Sequence, residues 1–177
     1  MKIGVLADTH VPSNNPSLPS AVLDAVRGMD IILHAGDVGG IEILQQLGPI
    51  AQTYAIYGEQ DDAKVRKYLQ EKQRLEFENR SIGLVHGNRA LQGGILARLS
   101  FNMNKNARSQ AVCASVLEDY PEVDAIVFGH THEPYMKMYG GVLLFNPGAA
   151  VLSSGKPGSI GVLEITPQAI KGRIISL

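Results

Sequence analysis

Ile3-Gly4-Val5-Leu6-Ala7-Asp8-Thr9-His10 stands near the start of the chain. Its first five residues are an unbroken apolar run, the pattern of a strand buried on both faces. The run breaks on an acid and an imidazole two residues apart. The same grammar recurs four times. Residues 31–33 run into His34-Ala35-Gly36-Asp37, residues 54–57 into Gly58-Glu59-Gln60-Asp61, residues 82–85 into His86-Gly87, and residues 125–128 into Gly129-His130-Thr131-His132. In open α/β sheets, ligand sites gather outside the carboxyl ends of strands. Five strand ends that each deliver a carboxylate or an imidazole therefore predict one polar centre.

The intervening sequence supplies helices. Ser17-Leu18-Pro19 reads as an N-cap with proline in the first turn, and Gly28 stops that helix. Residues 41–47 read as a short helix ended by Gly48-Pro49. Residues 61–72 are charged and suit a surface helix, residues 75–77 and 82–85 suit a strand pair around Asn79, and residues 106–119 suit the longest helix. From Tyr135 onward, short strands alternate with Gly140-Gly141, Asn146-Pro147-Gly148, Lys156-Pro157-Gly158 and Thr166-Pro167, which predicts a β meander. Alternating β and α followed by β predicts an α/β fold. The 177 residues fit one domain over 1–177, with no repeat or linker.

Composition narrows the function classes. A net charge of −1 leaves no global field for nucleic acid or an anionic membrane. No apolar run approaches a membrane span, and no signal-peptide cleavage pattern follows the first apolar run, so a cytoplasmic location is the default. Cys113 is the only cysteine; beside Val112, Val116 and Leu117 it reads as a buried thiol rather than a nucleophile.

The spacing of the acids and imidazoles suits metal chemistry. In an extended segment, residues two apart point the same way. Asp8 and His10 can then grip one ion, as can His130 and His132, or each can reach a different ion of a pair. Mixed aspartate and histidine ligands suit Mn²⁺, Fe²⁺ or Zn²⁺. Two such ions about 3.5–4 Å apart can share a hydroxide and clamp a phosphoryl group. His34, inside a predicted strand, reads as a supporting or structural group.

Asp8-x-His10, Gly36-Asp37, Gly58-x-x-Asp61, His86-Gly87 and Gly129-His130-Thr131-His132 together resemble the calcineurin-like metallophosphoesterases, in particular their small bacterial and archaeal phosphodiesterase branch. The resemblance implies a four-layer α-β-β-α sandwich of two mixed sheets flanked by helices. It implies two divalent transition metals, Mn²⁺ first, with Fe, Zn, Ni or Co as alternatives. Asp8, His10, Asp37 and His132 would hold one metal; Asp37, Glu59, His86 and His130 would hold the other. A metal-bridging hydroxide would be the nucleophile on a small phosphate ester, a phosphodiester before a monoester, with His10, Glu59, Gln60 and Asp61 near the substrate.

Two positions depart from the family pattern. Glu59 replaces the usual asparagine and adds a negative charge beside the place a phosphate must bind, which predicts weaker phosphate binding or an altered metal preference. Gln60 replaces the histidine that serves larger relatives as proton donor, which predicts a bias toward esters with good leaving groups. The stretch from Asn79 to Leu117 contains no acid and carries Arg80, Arg89, Arg98, Lys105 and Arg108. It reads as a solvated face whose arginines pair with acids elsewhere. One retromer subunit resembles this family yet works by binding partner proteins, so a catalytically weak or inactive scaffold is the alternative. A two-metal hydrolase of a non-phosphate ester is a further one. Met136 and Met138 could serve a homo-oligomer interface or equally the core.

Overall fold

The computed structural model describes residues 1–11, 16–91, 105–152 and 154–177. The first apolar run forms β1 (Lys2–Leu6), and parallel partners stack on one side of it: β2 (Ile31–His34), then β3 (Gln52–Ala55). On its other side lie two antiparallel strands from the far end of the chain, β9 (Ser159–Ile165) and β10 (Ile170–Ser176). The first sheet has the order β10-β9-β1-β2-β3. The second contains β4 (Lys72–Phe77), β5 (Arg80–Val85), β6 (Ala125–Val127), β7 (Tyr135–Tyr139) and β8 (Val142–Asn146), in the order β4-β5-β6-β8-β7. Its three central strands, β5, β6 and β8, are parallel.

Strand alternation explains the layers. Ile3 and Val5 of β1, Leu33 of β2 and Leu163 of β9 face inward from the first sheet. Ile82 and Leu84 of β5, Val127 of β6 and Phe145 of β8 meet them from the second. The opposite faces carry Leu6, Ile32 and Ile160 against the helices α1 (Ser20–Ala25) and α2 (Ile41–Leu47). Val85, Ile126 and Leu144 pack against α4 (Lys105–Asp119) through Val112, Cys113 and Val116. Two mixed sheets flanked by helices make the expected α-β-β-α sandwich. Each central strand is buried on both faces, which is why its sequence reads as a continuous apolar run. No described helix is long and apolar enough to cross a membrane.

Four expectations need correction. The first helix does not begin at Ser17: the Leu18 amide donates to Gln46 Oε1 on α2 (3.0 Å), and Pro19 takes the N-cap position with extended ψ. The surface helix shrinks to α3 (Ala63–Tyr68), capped by Asp62, whose Oδ1 accepts from the Val65 amide (2.8 Å). The residues after it turn extended because Gln70 bridges to Ile56 and Lys72 already pairs with Val85, so sheet pairing outweighs helix propensity. For the same reason the third strand is offset to residues 52–55. The tail is not one meander. β7 and β8 join the second sheet, Pro147 offers no amide to extend the ladder, and the chain crosses to the first sheet, where the Ala150 amide donates to Ala7 (2.8 Å).

Candidate metal centre

The carboxyl ends of β1, β2, β5 and β6 open on one edge of the sandwich. The loops that follow them are stitched together through the backbone. The amides of Asp8, Thr9 and His10 donate to the carbonyls of Gly36 (3.1 Å), Asp37 (3.0 Å) and Asp37 again (3.3 Å). Thr9 Oγ1 donates to the Val38 carbonyl (2.7 Å) and lies 3.1 Å from His34 Nε2. His34 is thus a buried brace behind the loop; burial, reinforced by the nearby His86, lowers its pKa to about 3.

The backbone of these loops is not extended. Among the described residues seven non-glycine residues have positive φ, and five of them are Asp8 (53°), His10 (42°), Asp37 (52°), His130 (67°) and His132 (58°). The other two, Glu78 and Asn79, form the β4–β5 turn. The alternation argument for Asp8 with His10 and for His130 with His132 is therefore corrected. Left-handed backbone, which costs roughly 1–3 kcal/mol per residue, turns both members of each pair toward the centre. Glycines let the loops close: a Cβ on Gly58 would overlap Asp37 Oδ1, and one on Gly36 would sit 2.7 Å from His86 Nδ1.

All seven expected ligands are brought together. The ligand atoms of Asp8, His10 and His132 lie within 4.8 Å of one another, as do those of Glu59, His86 and His130. Asp37 stands between the two triads, its Oδ2 3.6 Å from His10 Nε2 and 3.2 Å from His86 Nε2. Glu59 Oε1 lies 2.8 Å from His130 Nδ1 and its Oε2 3.2 Å from His86 Nε2. Nδ1 of His86 donates to the Ala35 carbonyl (2.7 Å), so Nε2 is the nitrogen aimed at the centre. Among the described residues five buried side-chain atoms lack a hydrogen-bond partner. Four are here: Asp37 Oδ2, Glu59 Oε2, His86 Nε2 and His130 Nε2.

The electrostatics agree with that geometry. Burial, opposed by His86, pushes the Asp8 carboxyl up to about 7. Burial also works against charge on His86, yet Asp37 and Glu59 overcome it and hold its pKa well above the ordinary value. Asp37 and Glu59 are held low despite burial, by His86 for the first and by His130 and His86 for the second. The cluster therefore favours positive charge at its centre.

A family model for the calcineurin-like phosphoesterase superfamily domain matches residues 1–168. The chain belongs to that superfamily. It is 30% identical to a probable metallophosphoesterase of Methanothermobacter thermautotrophicus over 99% of this chain and 92% of the relative. Its fold is similar to Vps29 of Entamoeba histolytica solved with Zn²⁺ (TM-score 0.70, 23% identity, 99% of each chain). It is similar also to an archaeal phosphodiesterase (TM-score 0.67, 21% identity, 99% of this chain and all of that one).

The donor set of this chain fits the divalent metals on which its family depends. Carboxylate oxygens and imidazole nitrogens in two facing triads suit borderline transition metals, and a buried polar atom left unpaired costs about 1–3 kcal/mol, so four at one point favour a cation among them.

Other expected and unexpected residues fall around the cluster. Gln60 is exposed and lines, with His10, Val11, Gly39 and Asp62, a hollow of about 320 Å³. Asp61 does not face it: the side chain is buried, Oδ1 accepts from the Gly39 amide (2.9 Å) and Oδ2 from the Gly58 amide (2.8 Å). It ties the 36–39 and 58–61 loops together. Arg66 does similar work from α3, donating to the carbonyls of Glu59 (2.6 Å) and Asp61 (2.8 Å). Asn146 is fully buried; its Nδ2 donates to the Gly129 carbonyl (2.8 Å) and its Oδ1 accepts from the Gly148 amide (2.8 Å). Sequence reading took Asn146 only as part of a turn, although an asparagine directly after an apolar strand was the available signal. Of the basic stretch, Arg80 pairs with Asp124 (2.7 Å) and Arg89 with Asp119 (2.8 Å). Gly93, Gly94, Arg98 and the Lys105 side chain lie outside the described residues.

Proposed function

We propose that the protein hydrolyses a small phosphate ester, a phosphodiester in preference to a monoester, with two divalent transition metals, Mn²⁺ first and Fe, Zn, Ni or Co as alternatives. The convergence of the two triads on Asp37, with four unpartnered buried atoms among them, carries this reading. Asp8, His10, Asp37 and His132 would hold one cation, and Asp37, Glu59, His86 and His130 the other. When bound, the pair supplies Lewis-acid charge that acidifies water near neutral pH and stabilises the phosphoryl oxygens in the transition state.

The chain's own residues do the rest. The Ala35 carbonyl fixes the His86 tautomer, and the His130 amide, 3.1 Å from Asp8 Oδ2, fixes that carboxylate. His10 and Gln60 line the hollow in which an ester substituent would sit. Gln60 has no proton to donate at neutral pH, so the leaving group must depart as a weak base; a loss of roughly 10²–10⁴ on alkyl esters is expected. The archaeal phosphodiesterase supports the diester preference.

The test is hydrolysis of a bis-aryl phosphodiester by metal-stripped protein with and without Mn²⁺. Metal-dependent turnover that disappears in Asp37→Ala is the expected result. A second reading, a partner-binding scaffold, is favoured by one observation: β7 exposes Met136, Met138 and Tyr139 on an edge strand. Two bound metals without turnover, together with metal-independent association through β7, would put that reading first.

A further inference from the structure

The three carboxylates of the cluster differ in access. The side chains of Asp8 and Asp37 are 0% and 1% exposed, whereas that of Glu59 is 32% exposed. The imidazoles show the same gradient, from His86 at 1% through His130 at 14% and His10 at 22% to His132 at 46%. The face open to solvent is therefore built from His10, His132 and Glu59, and Glu59 is the cluster's only acid on it. Glu59 is also fixed there, since Arg66 grips its carbonyl and its two carboxylate oxygens lie against His130 and His86. Asp62, which lines the adjoining hollow while capping α3, adds charge of the same sign.

We infer that Glu59 sets the charge class of the substrate, admitting a phosphate monoanion such as a diester and turning away a dianion such as a monoester or free phosphate. The inference rests on the phosphoesterase reading above. Asp8, Asp37 and Glu59 bring three negative charges, and the hydroxide nucleophile a fourth, against the four positive charges of two divalent cations, so the loaded site is close to neutral. A neutral amide at position 59 would leave one net positive charge. A dianion meets twice the repulsion from Glu59 that a monoanion meets. One unit of charge a few ångströms from the phosphoryl group, partly screened, changes relative binding by on the order of ten- to a hundredfold. The same charge helps release the product, because hydrolysis of a diester monoanion yields a monoester dianion near neutral pH.

Calorimetric binding of two inert probes to Mn²⁺-saturated protein at about pH 8 tests this, since dimethyl phosphate is a monoanion there and methyl phosphate a dianion. Glu59→Asn should tighten methyl phosphate about ten- to a hundredfold relative to dimethyl phosphate. Glu59→Asp should keep the wild-type ratio. An unchanged ratio in Glu59→Asn with two Mn²⁺ per chain overturns the inference alone. Should that variant fail to fold or to hold both ions, Glu59→Gln, whose amide has the reach of the carboxylate, takes its place, and an unchanged ratio there overturns the inference equally. If neither wild type nor any variant takes up Mn²⁺ or binds either probe, the phosphoesterase reading falls and this inference falls with it.

Discussion

The two ends of β5 and β6 solve the same problem in opposite ways. At their amino ends Asp124 sits with a full set of donors: the Ser81 amide (2.8 Å), the Ser81 hydroxyl (3.1 Å) and Arg80 Nη1 (2.7 Å). At their carboxyl ends, Asp37 has one oxygen on the Gln60 amide (2.9 Å) and the other between His86 Nε2 (3.2 Å) and His10 Nε2 (3.6 Å), with no amide or hydroxyl donor. The first arrangement stabilises the fold. The second uses left-handed backbone and unpaired polar atoms, both of which oppose folding, to hold seven candidate ligands together. The contrast separates a structural acid from a candidate ligand by its partners, with no reference to residue type.

The largest expected effect breaks the functional end. Mn²⁺ at about a hundred to a thousand times its dissociation constant should stabilise the wild-type protein by about 3–4 kcal/mol. In Asp37→Asn most of that gain should vanish, while the metal-free variant should differ little in stability from metal-free wild type, because the lost attraction between Asp37 and His86 (3.2 Å) is offset by the removal of a buried charge. Denaturant titrations with and without Mn²⁺ measure both. A metal-free Asp37→Asn protein several kcal/mol less stable than wild type would make Asp37 a structural acid after all.

A smaller effect is expected between the two ends. Asn146→Ala would strip the Gly129 carbonyl and the Gly148 amide of partners that no water readily replaces at a fully buried position. A loss of about 1–3 kcal/mol is expected. Since Gly129 leads into His130 and His132, metal affinity should weaken by roughly ten- to a hundredfold as well. A stability loss with unchanged Mn²⁺ affinity would limit Asn146 to the fold.

Much of this centre was legible in the chain, and the reason is local. A buried strand announces itself as an apolar run, and the first polar residue after it marks the sheet edge, so Asp8, His86 and His130 could be placed without coordinates. The layers followed from the family resemblance, which the order of these runs permitted. What was illegible depends on neighbours distant in sequence. Asp61 looked like a substrate contact because its type and position allow it; two backbone amides, from Gly39 and Gly58, occupy it instead. Arg66 looked like surface charge until the 59–61 loop folded over its guanidinium. Nor does spacing reveal a left-handed φ, since Asp8-x-His10 spelled in extended backbone would carry the same letters.

The smallest expected effect belongs to the structural end, and it should depend on pH. The Ser81 amide, then Arg80 and the Ser81 hydroxyl, hold the Asp124 carboxyl below its ordinary pKa. A group depressed in the folded state contributes stability that is present above its unfolded pKa and is lost as pH falls through the folded one. Asp124 is partly exposed, so solvent screens the ion pair, and Asp124→Asn should cost about 1 kcal/mol at neutral pH. That difference should hold down to about pH 4 and shrink below it, as the wild-type acid takes up its proton. Mn²⁺ binding should not change, because Asp124 stands at the opposite end of the strands from the ligands. Denaturant titrations of the pair at a series of pH values decide the matter. A difference that persists undiminished at low pH would mean that shape and neutral hydrogen bonding, rather than charge, hold this end closed. A loss of Mn²⁺ affinity in Asp124→Asn would show that the two ends are mechanically joined through β5 and β6, and the contrast between them would then be one of chemistry without independence.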